Sequence, residues 1–255
     1  MLRVAGFVLL AAGLTSLAAA PARAQDRDAF LAGKTIHCPG CDLSEADLRY
    51  RKLPGANLAG ANLTGAIFHR AVLRGADFSG ATLTDANFNK SDVRQVNFSK
   101  ADLTSALFFE ADASGSNFAG ANMTQIHAGG IRLLSANLAG ADLTLADFQE
   151  SRMNEANLSG ATMKFTFFSS ARMFRSNLSG VEGWEVNFEG TELRRANLKG
   201  AVLRSSSLQA ANLGESDLTG ADFSQSNLLG ANLQDAKRAD TKFTGARMPD
   251  NTMMP

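Results

Sequence analysis

From Leu43 to Met248 the chain repeats every five residues and keeps that register through 42 pentads without an insertion or deletion. Thirty-two of the 42 central positions are Leu or Phe and six more are Met or Val, the exceptions being Ala113, Ala128, Gly183 and Arg238. Two residues before the centre stands Ala, Ser, Thr or Cys in 36 of the 42. Residues 56–65, ANLAGANLTG, state the phrase twice. Neither regular element accommodates this period. An amphipathic helix would carry one apolar residue in five around its whole circumference, and a flat strand would send successive centres to opposite faces. A chain that turns a corner after every pentad removes the conflict, because each side then points its centre inward. The small residue becomes a second inward position crowded beside a corner, and the remaining positions face water. Of 23 Gly, 17 sit at numbers divisible by five, two places after a centre, where a corner uses their backbone freedom. The pattern predicts a solenoid with a quasi-one-dimensional core.

The Phe residues set the number of sides. Six central Phe, at 68, 88, 108, 148, 168 and 188, differ by multiples of twenty, and Phe78, Phe98 and Phe118 form a second series ten residues out of step. A four-sided coil of twenty residues stacks each series as a column of rings on opposite sides. Core volume is compensated along the way: between opposed Phe the intervening centre reads Leu73, then Val93, then Ala113, as a fixed cross-section packed near crystal density requires. About ten coils at strand-like spacing of ~4.8 Å make a rod of roughly 50 Å.

The phrases Ala46-Asp47-Leu48, Ala61-Asn62-Leu63, Ala141-Asp142-Leu143 and Ala231-Asn232-Leu233 resemble the A(D/N)LXX consensus of the pentapeptide-repeat proteins. The resemblance covers about residues 41–250 and implies an all-β, right-handed quadrilateral β-helix. It implies little about activity, because a fold does not fix a function. Some relatives confer quinolone resistance by protecting gyrase as cytosolic DNA mimics with acidic surfaces. Here the charges balance at 25 basic and 25 acidic residues, which argues against that role and gives no reason to expect a nucleic-acid partner.

Four segments are expected: a leader over 1–24, an N-terminal cap over 25–40, the β-helix over 41–250 and a tail over 251–255. The leader has Arg3, an apolar run from Val4 to Ala20, Pro21, and the small-x-small ending Ala22-Arg23-Ala24. These mark a secretory signal peptide cut before Gln25 rather than a retained membrane anchor, and no later segment is suited to span a membrane. The mature protein, with 23 basic and 25 acidic residues, is expected in a bacterial periplasm or secreted. In the cap, Asp26 is placed to start a short helix from about Arg27 to Ala32, Gly33 to stop it, and Phe30 with Leu31 to plug the first coil. At the other end Arg238 takes a core position, so the last coils are expected to fray and to accept another chain.

Cys38 and Cys41 admit three readings. Export and close spacing support a disulfide. A zinc site lacks a fourth ligand even with His37. A redox dithiol lacks the helix and βαβ setting that its chemistry uses. Similar CPGC leaders precede many pentapeptide-repeat domains, which implies an entry element of the fold. No nucleophile–base constellation is visible, His69 and His127 lie at outward positions, and neither an enzyme activity nor a cofactor is expected. Asn57, Asn62 and Asn137 stand before centres, where they are suited to bond the backbone or to stack in ladders.

Two departures from the pattern mark candidate sites. Leu145, Phe165, Phe167 and Trp184 are large apolar residues at outward positions, near multiples of twenty apart. They read either as a docking patch or as a cover over a void at Gly183. Arg132, Arg152 and Arg172 replace the usual Asp or Asn on three successive coils. With Arg175 and Arg194 they make an anion-binding stripe, unless Glu155 and Glu192 neutralise them. The sequence therefore supports a non-catalytic, exported interaction scaffold, whose partner is another protein or a second copy reached through a coil end or the patch. The alternatives are a gyrase-protecting DNA mimic and a metal or redox role for Cys38 and Cys41.

Overall fold

The molecule, a computed structural model, is described over residues 22–255. One short helix leads into a right-handed quadrilateral β-helix in which the residue before each centre pairs in parallel with the residue twenty further on, from His37 with Asn57 to Asn227 with Arg247. The four sides can be named by their centres: side A carries Leu63, Leu83 and Leu103, side B Phe68, Phe88 and Phe108, side C Leu73, Val93 and Ala113, and side D Phe78, Phe98 and Phe118. Most sides are too short to be more than a single bridge. On side A, β1 (Glu182–Trp184) and β2 (Val202–Arg204) extend to three residues and pair in register.

The repeat follows from where the five amides of each pentad go. In the pentad 57–61 the Leu58 amide donates to the Asp77 carbonyl on the next coil (2.7 Å), the Gly60 amide to Ser79 (2.9 Å), and the Ala61 amide closes the corner onto Leu58 (3.1 Å). One pentad later the Asn62 amide donates back to Cys41 (2.9 Å). The amide after each centre would be left over, and the Asx side chain supplies its acceptor: Ala59 donates to Asn57 Oδ1 at 3.1 Å, Thr64 to Asn62 Oδ1 at 3.2 Å. Asp or Asn before the centre therefore completes the hydrogen bonding of a backbone that has no regular strand to complete it. On side D the same side chains also join coil to coil, Asn137 Nδ2 to Asn117 Oδ1 at 3.0 Å and Asn177 to Asn157 at 3.0 Å, so the expected ladder is present.

Every residue whose number is divisible by five from 40 to 245 has positive φ. With positive φ only at the third residue and, at most of them, an i to i+3 bond, the corners have the signature of a type II turn. At the corners through Glu185 and Ser205 the closing amides of Val186 and Ser206 instead bond Ser206 Oγ and Ser226 Oγ of the next coil. Seventeen of these corners are Gly and 25 are not. Inside, centres and small residues are buried almost throughout. Phe68 stacks on Phe88 at 4.7 Å and Phe88 on Phe108 at 4.7 Å, while Phe98 stacks on Phe118 at 4.9 Å on the facing side. Rings of facing columns meet edge to face, as Phe88 does with Phe98 at 5.6 Å. Ala113 is fully buried between Phe108 and Phe118, as volume compensation requires.

The entry differs from expectation in two ways. Helix α1 runs Ala22–Leu31, so Asp26 lies inside it and is not its cap; Ala22, Arg23 and Ala24 are good helix formers and extend it backward. The expected leader, residues 1–24, otherwise lies outside the described residues. The stop is as expected: Gly33 at φ 73° lets its own amide bond Phe30 and the Lys34 amide bond Ala29, a Schellman end. Phe30 is buried against the first coil, with Leu31 packed beside it, and Arg51 donates to the carbonyls of Phe30 (3.2 Å) and Leu31 (3.3 Å). Secondly, the register begins at Ile36, one pentad before Cys41: His37 bridges Asn57, Cys38 is a buried centre and Gly40 is a corner. Among the described residues no helix is long and apolar enough to cross a membrane.

At the far end Arg238 is exposed and Leu233, Phe243 and Met248 are only partly buried, so the last coil is loosened. The tail turns back on it: Met248 donates to Thr252 (2.8 Å), Gly245 to Met254 (2.9 Å) and Met254 to Ala246 (2.9 Å). One flank of the end is thus covered by the chain itself.

Candidate functional site

Cys38 and Cys41 are joined sulfur to sulfur at 1.94 Å. Their setting is a regular corner, Cys38-Pro39-Gly40-Cys41, with Pro at the second place and Gly at the third as a type II turn prefers. The bond runs from a core centre across the corner to the next small position, and both residues are buried. His37 turns its Nδ1 to the Asn57 amide at 3.2 Å. Among the described residues no group of three His, Cys, Asp or Glu is placed to hold a metal ion.

The four apolar residues are all outward, each between 37 and 45 % exposed. Phe165 and Trp184 meet edge to face at 6.2 Å, and Lys164 Nζ lies 4.4 Å over the indole. Leu145 stands beneath Phe165 at the corner between sides A and B. Its amide donates to the Lys164 carbonyl at 2.8 Å, and the Phe165 amide donates to the Trp184 carbonyl at 3.1 Å. Phe167 is round that corner on side B, bridged between Asp147 and Asn187. The structure thus joins Phe165 to Trp184 with Leu145 in the same corner column, and sets Phe167 to one flank. There is no void at Gly183 for them to cover. A β-carbon there would lie 2.6 Å from the Met163 carbonyl oxygen and 2.8 Å from Val186 Cγ2. The backbone itself fills the space, and the Val186 amide bonds Ser206 Oγ at 3.2 Å.

On side C, Arg132, Arg152 and Arg172 bridge one another on consecutive coils and are exposed. Among the described residues no ion pair joins Glu155 or Glu192 to these arginines, although Glu192 is the bridge partner of Arg172 on the next coil. Glu192 is taken by Asn212 Nδ2 at 3.0 Å, and Glu155 accepts from Ser135 at 3.5 Å. Arg194 leaves the stripe, since it and Arg195 (2.7 Å) both pair with Glu215. Arg132 keeps a long contact with Asp112 (3.9 Å), and Arg175 packs over the Phe174 ring at 5.1 Å. Elsewhere an Arg is matched to an Asp at a bridge position: Arg49 with Asp47 (2.6 Å), Arg74 and Arg94 with Asp92 (2.6 and 2.8 Å), Arg204 with Asp222 (2.8 Å). Arg94, followed by Arg74, pulls the Asp92 carboxyl down to about 2.

One feature of side B was not anticipated. A recess of about 460 Å³ opens beside Phe109, His127, Gly129, Gly130, Asp147 and Glu150. It arises where two adjacent outward positions are glycine, and the Phe109 ring lies 3.7 Å from where a Gly129 β-carbon would be. The sequence signal was there, because Gly129 is a glycine off the corner register.

The family model described as Pentapeptide repeats matches in eight copies, over 41–125, 130–180 and 185–248. No curated protein matches the chain. Among solved structures, HetL, a pentapeptide repeat protein involved in heterocyst differentiation regulation from the cyanobacterium Nostoc, is 25% identical, with 89% of this chain and 97% of that one covered and a TM-score of 0.52. A trypsin-treated QnrB1, a plasmid-mediated fluoroquinolone resistance protein, is 20% identical over 63% of this chain and 73% of that one, with a TM-score of 0.41. A pentapeptide repeat protein of the Arabidopsis thaliana thylakoid lumen is 26% identical over 47% of this chain and 74% of that one, with a TM-score of 0.31.

Proposed function

Because the chain belongs to the pentapeptide-repeat family, we propose that it works as a non-catalytic, exported scaffold that docks a partner protein at the corner between sides A and B. The observation carrying this reading is the Phe165–Trp184 ring pair, exposed on both members, with Trp184 at the end of β1 and Phe165 at the corner of the preceding coil. Exposed aromatics on rigid backbone lose little entropy on binding and make good anchors. Leu145 extends the pair along the rod and Phe167 flanks it. Export rests on the leader alone. The regulatory involvement stated for HetL is consistent with a scaffold role.

The gyrase-protecting alternative calls for an acidic, DNA-like surface, whereas this rod has balanced charge and a column of arginines on side C. A redox role for Cys38 and Cys41 is disfavoured by their burial within a structural corner.

Fractionation of the native host with an antibody to the rod tests export, and recovery in the cytosol would refute it. Phe165→Ser with Trp184→Ser tests docking. The variant should keep the circular dichroism of the parent and lose both cross-linked partner and any self-association. Unchanged recovery of both would remove the docking reading.

A further inference from the structure

The face that carries the docking corner has a charge of one sign. On sides A and B of the three coils that carry Leu145, Phe165 and Trp184 (residues 141–150, 161–170 and 181–190), six residues are acidic: Asp142, Asp147, Glu150, Glu182, Glu185 and Glu189. Lys164 is the one basic residue there. Among the described residues none of the six carboxylates takes part in an ion pair. On the coil above, Arg204 is held by Asp222 at 2.8 Å.

Four of the carboxylates stand beside the rings. Glu182 shares the outward face of β1 with Trp184. Glu185 follows Trp184 and takes the corner position one coil above Phe165. Asp147 is the bridge partner of Phe167 on the coil below, and Glu189 lies two residues beyond Asn187, the bridge partner on the coil above. All but Asp147 are exposed. An aromatic pair with such a rim repels anions, whether nucleic-acid phosphates, an anionic bilayer or an acidic protein surface, and is complementary to positive charge arranged around an apolar anchor. Lys164 already makes one such contact from within the chain, its Nζ lying 4.4 Å over the Trp184 indole.

We infer that this corner docks a basic segment of another polypeptide. An apolar side chain of the segment sits against Phe165 and Trp184, and Lys or Arg residues beside it reach Glu182, Glu185, Asp147 and Glu189. The inference rests on the docking reading above and adds the sign of the partner. A second copy of this chain is the poorer source, because on its basic side C Arg132 contacts Asp112 (3.9 Å) and Arg172 bridges Glu192.

Trp184 is the chain's one tryptophan, so its fluorescence reports on this corner. Titration of the full chain with three length-matched peptides, alternating Leu and Lys, Leu and Glu, or Ser and Lys, tests the inference. The Leu–Lys peptide should shift the emission saturably, with an affinity that falls as salt rises. The Leu–Glu peptide should leave the emission unchanged, and the Ser–Lys peptide, lacking the anchor, should bind about tenfold more weakly. Glu182→Gln with Glu185→Gln should weaken Leu–Lys binding about tenfold and flatten its salt dependence. Lys164→Gln, which removes the competing cation, should tighten it, an effect that damage to the fold would not produce. Equal binding of the Leu–Glu peptide, indifference to the Glu182→Gln, Glu185→Gln pair, or weaker binding in Lys164→Gln would overturn the sign of the partner and leave the docking corner in place. Absence of binding by any peptide would overturn the inference, while the docking reading keeps its own test in partner recovery by the Phe165→Ser, Trp184→Ser variant. Self-association of the parent that the Glu182→Gln, Glu185→Gln pair abolishes would make a second copy the occupant, which also overturns it.

Discussion

The left-handed corners separate two ways in which one methyl group harms this fold. At Gly60 φ is 63° and a β-carbon would meet nothing within 4 Å, so Gly60→Ala isolates conformational strain. A left-handed non-glycine residue costs roughly 1–2 kcal/mol, offset by about 0.4–1 kcal/mol from the stiffer unfolded chain, for a net loss of about 1 kcal/mol. Ser105, also at a corner with φ 57°, is the reverse case, and Ser105→Gly should gain a similar or smaller amount. At Gly183 φ is not positive, but the new β-carbon would meet the Met163 carbonyl oxygen at 2.6 Å. Backbone cannot rotate away as a side chain does, so Gly183→Ala should cost about 1–3 kcal/mol or more. Urea unfolding followed by circular dichroism measures all three, with the slope compared among variants because a repeat array can lose cooperativity. The reasoning fails if Gly60→Ala is neutral while Ser105→Gly destabilises, or if Gly183→Ala is the mildest of the three.

Phe108→Leu and Ala113→Leu should each destabilise by roughly 1–3 kcal/mol, one by a cavity and one by overpacking, and the double variant should recover much of the loss; strictly additive losses would show that the two positions do not share a volume. Asp92, held down to about 2 by Arg94 and Arg74, contributes stability that is present above the ordinary carboxylate range and lost as pH falls through about 2. Asp92→Asn should therefore flatten the melting temperature between about pH 4 and 2, and an unchanged acid profile would refute the assignment.

The pentad register made the four sides, the Phe columns and the relief at Ala113 readable from residues alone, because each rests on side-chain volume at a fixed spacing. The start of the register at Ile36 was hidden, since His37 and Cys38 are not the residues a consensus would place there, although Pro39-Gly40 is a typical corner. The extension of α1 to Ala22 was hidden because Asp26 imitates a cap. The corner patch was legible in its members, yet the contact between Phe165 and Trp184, and the absence of a void at Gly183, depend on how far the backbone moves inward. The side C arginines were legible as a column. Which acid serves which base was not, because Glu155 and Glu192 each had several partners within reach and the choice is made by side-chain geometry. The side B recess needed three coils in place before two glycines became a hollow.

Pairing at a separation of twenty turns the residue number into an address. The remainder on division by twenty names the side, and the quotient names the height along the rod. Duplication of one whole coil would lengthen the molecule and leave every surface aligned with itself. Insertion of a single pentad would keep core and corners intact but rotate everything downstream by a quarter turn. Placed between Arg152 and Arg172, it would split the cation column across two sides while leaving a well-folded rod. Such a variant edits the layout of the surface without editing any residue on it.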